Sequence, residues 1–183
     1  MPTSKGLRST VCLRLSTYLA HAANAGIARA QLLLGVYLLN RKPKAAKRGV
    51  AREWLIKAAD QKFGPAYSAL GGAYWAGTDG QLDRIAAVKG FTEGAKSNDV
   101  IAQRALCVVY WSGIGVARNL STAKYWCDAA ARRGDVPSME MLAQDPPRDE
   151  AGEVAHAYWL WGLANRGNAK YRRRVRCGPR RQR

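Results

Sequence analysis

Small and apolar residues recur along the chain at a spacing typical of helices. In "AYSALGGAYWAG", residues 66–77, the residues Ala66, Leu70 and Tyr74 follow one another at steps of four, which places them on one face of a helix. The same pattern returns 36 residues later in "AQRALCVVYWSG" and appears earlier, in reduced form, in "AQLLLGVYLLN". We call this element helix A. The glycine or cysteine that follows each leucine allows a neighbouring helix to approach closely.

A second pattern, which we call helix B, alternates with the first. It consists of an aromatic residue, a pair of small residues and a turn residue, as in "WLIKAADQK" and "YWCDAAARRG". Tyr18 lies 36 residues before Trp54, which lies 72 before Trp126, and Trp159 follows after another 33. Two independent patterns that keep in phase at this spacing predict a solenoid built from helix pairs.

The turn residue after each helix B predicts where the helix ends. Gly26, Asn98, Gly134 and Gly167 are residues that commonly adopt the left-handed conformation of a helix stop, whereas Lys62 departs from this rule. The predicted units cover about residues 28–63, 64–99 and 100–135, with partial units at both ends. We therefore expect a basic extension over residues 1–9, a solenoid over 10–168 and a basic disordered tail over 169–183.

These patterns resemble Sel1-like repeats, which are related to the tetratricopeptide repeat. The unit at 100–135 fits best, with the residues Ala102, Leu106, Tyr110, Gly113, Gly115, Ala123, Trp126, Ala130, Ala131 and Gly134. The resemblance covers roughly residues 10–168 and implies an all-α superhelix of helix–turn–helix repeats. It also implies a module that holds another protein, as an adaptor, a scaffold or an immunity-type inhibitor.

The charge of the chain is concentrated at its ends. The net charge is +17; residues 1–63 carry 12 basic and 2 acidic side chains, residues 64–169 are nearly neutral, and residues 170–183 carry 8 basic side chains and no acidic ones. Such ends attract acidic proteins or nucleic acid. The predicted polyanion contacts lie in the loop after the first helix A and in the tail: Arg41, Lys42, Lys44, Lys47, Arg48, Arg172, Arg173 and Arg174.

The sequence gives no sign of catalysis or of a cofactor. Its two histidines, His21 and His156, lie near opposite ends of the predicted array, and there is no G-x-S-x-G motif, phosphate-binding glycine loop or metal-ligand spacing. We therefore predict a protein that is not an enzyme, with no cofactor and no metal site. No apolar run is long enough for a transmembrane segment.

The cysteines leave two alternatives open. Cys12, Cys107, Cys127 and Cys177 contain no CxxC pair. Cys107 and Cys127 fall on helices A and B of one unit, and the resemblance implies that they could form a disulfide, since secreted family members often carry one within a repeat. Buried free thiols are the alternative that we favour.

The compartment is also open. The N-terminal stretch is basic and has no acidic residue before Glu53, as in an organelle transit peptide. We expect an uncleaved start, because "YLAHAANAG" keeps the phase of helix B. We expect the protein in the cytoplasm, with a periplasmic, secreted or organellar location as alternatives.

The resemblance implies that helices A line a concave groove. The residues that we expect to face this groove and to bind a partner are Arg29, Val36, Asn40, Ser68, Trp75, Arg104, Val108 and Trp111. The two tryptophans lie one period apart, and the arginines could pair with carboxylates of an acidic segment. Packing of both tryptophans in the core is the alternative. The predicted function is therefore protein–protein interaction, and the second hypothesis is binding of nucleic acid through the basic ends.

Overall fold

The structure, a computed structural model, describes residues 17–40, 48–77, 82–145 and 149–177. The described residues contain helices and no strand, so the predicted all-α fold is confirmed. Helix α1 is described over residues 17–24. The following helices are α2 (Ala28–Asn40), α3 (Arg48–Asp60), α4 (Gly64–Ala76), α5 (Arg84–Lys96), α6 (Val100–Ser112), α7 (Leu120–Arg132), α8 (Val136–Gln144), α9 (Glu150–Asn165) and α10 (Ala169–Cys177).

Helices A and B alternate along the chain as the two sequence patterns predict. Helices α2, α4, α6, α8 and α10 are helices A, and α1, α3, α5, α7 and α9 are helices B. The chain divides into two compact units, Met1–Ala102 and Gln103–Arg183. None of the described helices is both long and apolar enough to cross a membrane.

In the first unit, helices A and B pack through small residues. Gly35 of α2 lies against Leu55 of α3, and a Cβ atom at Gly35 would come within 2.7 Å of that side chain. Gly71 of α4 has the same relation to Phe91 of α5, again at 2.7 Å. Such distances leave no room for a methyl group, so the glycine of the helix A pattern sets how closely the two helices of a pair approach.

In the second unit, the buried residues of four helices form one hydrophobic core. This core contains Ala131, Met139, Ala143, Trp159, Leu163, Ala164 and Tyr171. Tyr171 belongs to α10 and is only 1% exposed. The prediction of a disordered tail is therefore wrong for residues 169–177, because one buried aromatic anchors this basic helix to the core. Residues 178–183 lie outside the described residues.

All five predicted stops after a helix B have positive φ. The angle is 86° at Gly26, 62° at Asn98, 95° at Gly134 and 87° at Gly167. Lys62 also adopts this conformation, with a φ of 59°. Lys62 therefore has the same left-handed conformation as the other stops, although this conformation is strained for its side chain.

Cys107 of α6 and Cys127 of α7 form a disulfide, with their Cα atoms 5.0 Å apart. Our preference for free thiols at these positions is therefore wrong. The close-packing position of helix A carries a cysteine in this unit, and the facing position of helix B carries another. Their Cα separation lies within the range that a disulfide spans. Both cysteines are fully buried.

Candidate functional site

Two apolar residues among the predicted binding residues, Val108 and Trp111, are accessible on one side of α6. On the packed side of this helix, Leu106, Cys107 and Val109 are at most 2% exposed. On the other side, Val108 is 42% exposed and Trp111 is partly exposed. Residues three apart share a face of a helix, so these two side chains form one apolar surface, which we call the α6 surface.

Arg104 lies on the same helix but is already paired. Its guanidinium contacts the Asp135 carboxylate at 2.8 Å, and the Asp135 side chain is only 7% exposed. Asp135 also caps α8, since it accepts hydrogen bonds from the Ser138 amide at 3.0 Å and the Ser138 hydroxyl at 2.6 Å. An internal carboxylate therefore already occupies one side of the Arg104 guanidinium, and its pairing with a ligand carboxylate stays a prediction.

Ser68 is not a surface residue. It is 4% exposed, and its hydroxyl donates a hydrogen bond to Asp99. Asp99 in turn accepts a hydrogen bond from the Ala102 amide at 3.1 Å, in the first turn of α6. The prediction of Ser68 as a partner-binding residue is wrong, because the side chain joins α4 to the start of the next helix A.

These two networks follow one rule of the repeat. Position 68 plus 36 is 104, and position 99 plus 36 is 135. A third pair continues the series in the last unit, where the Asn168 amide donates to Glu140 at 3.2 Å. We call this contact the clasp: a polar side chain in the middle of one helix A reaches the residue that begins the next helix A. Its members are the pairs Ser68–Asp99, Arg104–Asp135 and Glu140–Asn168.

The first repeat, residues 28–63, has an apolar contact in place of the clasp. Leu32 and Phe63 occupy the corresponding positions, and both pack against the buried cluster of Ala58, Ala59 and Ala66. Phe63 begins α4 without a side-chain cap. The clasp position therefore joins successive repeats with polar or apolar contacts.

Trp75 is partly packed inside its own unit. Its ring lies 6.4 Å from the ring of Phe91 in α5, and the Arg84 guanidinium lies over it at 4.5 Å. The ring is half-buried. The core-packing alternative thus describes part of the Trp75 ring, and the Arg84 guanidinium lies over one face of it.

The remaining predicted contacts are spread over the chain. Arg29 and Asn40 are exposed on α2, and Val36 is half-buried between them in sequence. Arg172 and Arg173 are exposed on α10. Among the other predicted polyanion contacts, Arg41, Lys42, Lys44 and Lys47 lie outside the described residues, and the side chains of Arg48 and Arg174 are not described.

The acidic cluster in "DPPRDE" has structural roles where it is described. Asp145 pairs with Lys124 at 2.5 Å, and Asp149 caps α9 by accepting a hydrogen bond from the Gly152 amide at 2.7 Å.

His156 contacts the Ala143 carbonyl oxygen at 2.8 Å through Nε2. Among the described residues, no group of histidine, cysteine or acidic side chains could hold a metal ion.

Sequence reasoning missed three exposed aromatic residues on helices B. Tyr125, Tyr158 and Trp161 are 66%, 57% and 58% exposed. A signal was present, because "YW" occurs at both 125–126 and 158–159. The sequence prediction used the second residue of each pair, Trp126 or Trp159. The first residue of each pair, Tyr125 or Tyr158, faces solvent.

The paired helices, the glycine contacts and the exposed apolar residues on helix A define a helical-repeat protein of the solenoid class. The Sel1 repeat family model matches residues 28–63 and 100–135. The chain thus contains Sel1 repeats at these two positions, as its sequence predicts. Sel1 repeats are generally protein–protein interaction modules and typically non-catalytic scaffolds.

Two solved structures support the same fold. One is c5321, a protective antigen of uropathogenic Escherichia coli strains with an SLR fold, at 26% identity and a TM-score of 0.72. The other is a Sel1 repeat protein from Oxalobacter formigenes, at 22% identity and a TM-score of 0.68. Each match covers 85% of this chain, but only 34% of the first protein and 65% of the second. No curated protein matches the chain.

Proposed function

We propose that this protein holds an acidic segment of another protein through the α6 surface, without catalysing a reaction. The observation that carries the proposal is the exposure of Val108 and Trp111 on a helix whose opposite side is fully buried. Tryptophan is the residue type that contributes most to binding hot spots, and an apolar neighbour excludes water around it. The rigid helix pair beneath, tied by the disulfide, presents these side chains at little entropic cost.

The preference for an acidic partner rests on charge. The chain carries 30 basic and 13 acidic side chains, and the excess of basic side chains lies outside the nearly neutral residues 64–169. Arg104 at the edge of the α6 surface is paired with Asp135 on one side, but its side chain remains 37% exposed. A positive potential of this kind accelerates encounter with an acidic segment and disfavours basic competitors.

Affinity capture with matched variants tests the proposal. Val108→Asp places a carboxylate in the α6 surface, whereas Val50→Asp makes the same change at a valine of similar exposure, 41%, on α3. Capture from an extract of the source organism, read by mass spectrometry, should lose a specific protein with the first variant and retain it with the second. Equal capture by both variants would remove the α6 surface from the proposal.

Binding of a polyanion remains the second candidate, and one observation favours it. The basic segment after residue 169 is an ordered helix in which Lys170, Arg172 and Arg173 are exposed. A salt titration separates the two functions. Phosphate binding weakens steeply as salt rises, because each contact releases counterions, whereas an apolar protein contact weakens only modestly.

The disulfide supports a proposal about the compartment. Disulfides persist in oxidising compartments and are rare in the cytosol. We therefore propose the periplasmic or secreted alternative in place of the cytoplasm. Rapid acid quenching of cells followed by alkylation should find Cys107 and Cys127 unmodified before reduction. Complete alkylation of both cysteines before reduction would contradict this location.

A further inference from the structure

A cleft of about 280 Å³ lies between α7, α8 and α9 in the second unit. We call it the α7–α9 cleft. The side chains and backbone that matter for its chemistry are Arg132, Met139, Tyr158, Trp161, Gly162 and Arg166. Pockets for drug-sized ligands and cofactors range from about 300 to 1,000 Å³. A volume just below this range fits a single large side chain better than a cofactor.

Two exposed aromatic residues flank the cleft. Tyr158 and Trp161 are three residues apart on α9, so they share a face of the helix, and each is more than half exposed. The Tyr158 ring stands edge-on to the buried ring of Trp159, with the centroids 4.7 Å apart. Exposed aromatic side chains of this kind contribute strongly to binding hot spots.

Gly162 leaves one wall of the cleft bare. A glycine inside a helix lowers helix stability relative to alanine, so its presence needs a reason. At Gly71 the reason is packing, since a Cβ atom would come within 2.7 Å of Phe91. At Gly162, a Cβ atom would meet no described atom within 4 Å, apart from its chain neighbours and the nearby backbone of its own helix. The fold therefore does not require this glycine, whereas a group inserted from outside could lie directly on the backbone.

The charges around the cleft select an acidic ligand. Two guanidiniums line it, and no carboxylate is among the residues that line it. Arg166 is held in place by hydrogen bonds to the Gly134 carbonyl oxygen at 3.0 Å and to Met139 Sδ at 3.1 Å. Arg132 is held from outside the cleft by Asp128 at 2.5 Å. The hydrogen bond and the charge of Asp128 raise the pKa of Arg132 above its ordinary value, which keeps the cation charged.

We propose that the α7–α9 cleft binds a protein segment that inserts one aromatic or large aliphatic side chain between Tyr158 and Trp161 and directs flanking carboxylates to Arg132 and Arg166. The net charge of +17 disfavours a second copy of this chain as the occupant. A nucleic acid, whose phosphates the two guanidiniums would also attract, is the competing occupant that the test below distinguishes. This site is separate from the α6 surface and does not depend on it.

Selection from a displayed library of linear 12-residue peptides tests this proposal on the full-length protein. Gly162→Leu fills the cleft at a position with open space, and Gly162→Ala adds only a methyl group. Enriched peptides should carry a large apolar residue flanked by Asp or Glu. They should bind the Gly162→Leu and Trp161→Ala variants about ten-fold or more weakly, in line with the loss of a hot spot. Gly162→Ala should have a smaller effect.

Control measurements keep the outcome interpretable. Circular dichroism checks that each variant is folded. Peptides whose binding is lost with Val108→Asp belong to the α6 surface and are set aside, whereas Val50→Asp should leave the binding of the remaining peptides unchanged. Enrichment that ignores Gly162→Leu, or that yields basic peptides, would overturn the proposal. A labelled oligouridine that binds the wild type and is lost with Gly162→Leu would also overturn it, in favour of nucleic acid.

Discussion

Reduction of the Cys107–Cys127 disulfide should destabilise the second unit strongly. The two cysteines are separated by 20 residues in sequence. Closing a loop of this length in the unfolded chain reduces its entropy by an amount worth ~3 kcal/mol at 25 °C. Because both cysteines are fully buried, the native state keeps its packing around the bond. Reduction should therefore act mainly by raising the conformational entropy of the unfolded chain.

Guanidinium unfolding with and without dithiothreitol measures this effect. For a chain of this size, the free energy falls by about 4 kcal/mol per molar guanidinium, so a loss of ~3 kcal/mol lowers the midpoint by about 0.8 M. The control is the double variant Cys107→Ala/Cys127→Ala, whose midpoint should not respond to dithiothreitol. A midpoint that shifts equally in both proteins would show that the reductant acts elsewhere.

Peptide mapping tests the bond itself. A tryptic digest without reductant should contain residues 105–118 joined to residues 125–132, and reduction should separate them. Recovery of both peptides with free thiols from unreduced protein would refute the reasoning, and the expected loss of stability would then have no basis.

Four further substitutions test the packing, a helix stop and the clasp. Gly71→Ala should destabilise the protein by about 2 kcal/mol because its methyl group would meet Phe91, whereas Gly72→Ala in open space should stabilise it by about 1 kcal/mol; chemical denaturation compares the two neighbours. Lys62→Gly should raise the melting temperature, since it relieves about 1 kcal/mol of left-handed strain, and a lower value would contradict this. Asp135→Ala should cost about 2 kcal/mol in urea unfolding by removing the cap of α8 and its ion pair, while an unchanged midpoint would mean that the clasp contributes nothing.

The fold was predictable because its determinants repeat within the sequence. Small residues at fixed spacing encode the helix contacts, and the stop residues encode the ends of helices B. Even Lys62, which looked irregular, follows the backbone of its equivalents. The repeat thus specifies a conformation more strongly than any single residue type does.

The surface was less predictable because a helical wheel describes only one helix. Ser68 and Arg104 lie outside the repeated apolar positions of helix A, which is why we expected them to face a ligand. They meet Asp99 and Asp135 instead, 31 residues further along. The period of 36 between the two aspartates was visible, but only the packing of successive units reveals their partners.

The composition of the C-terminal segment led to a wrong prediction of disorder. The basic segment from residue 169 has the charge of a disordered tail, yet it forms a helix. The single buried ring of Tyr171 supplies the apolar contact that the average composition of the segment hides. A charge average cannot reveal one anchoring side chain, and this explains why the prediction failed.

Hydroxyl-radical footprinting of the purified complex with its captured protein tests the central claim most directly. The claim predicts that oxidation of Trp111 falls on complex formation, while oxidation of Tyr18, which is 72% exposed on α1, stays the same. Equal oxidation of Trp111 in the free and bound protein would contradict the claim that the α6 surface holds the partner.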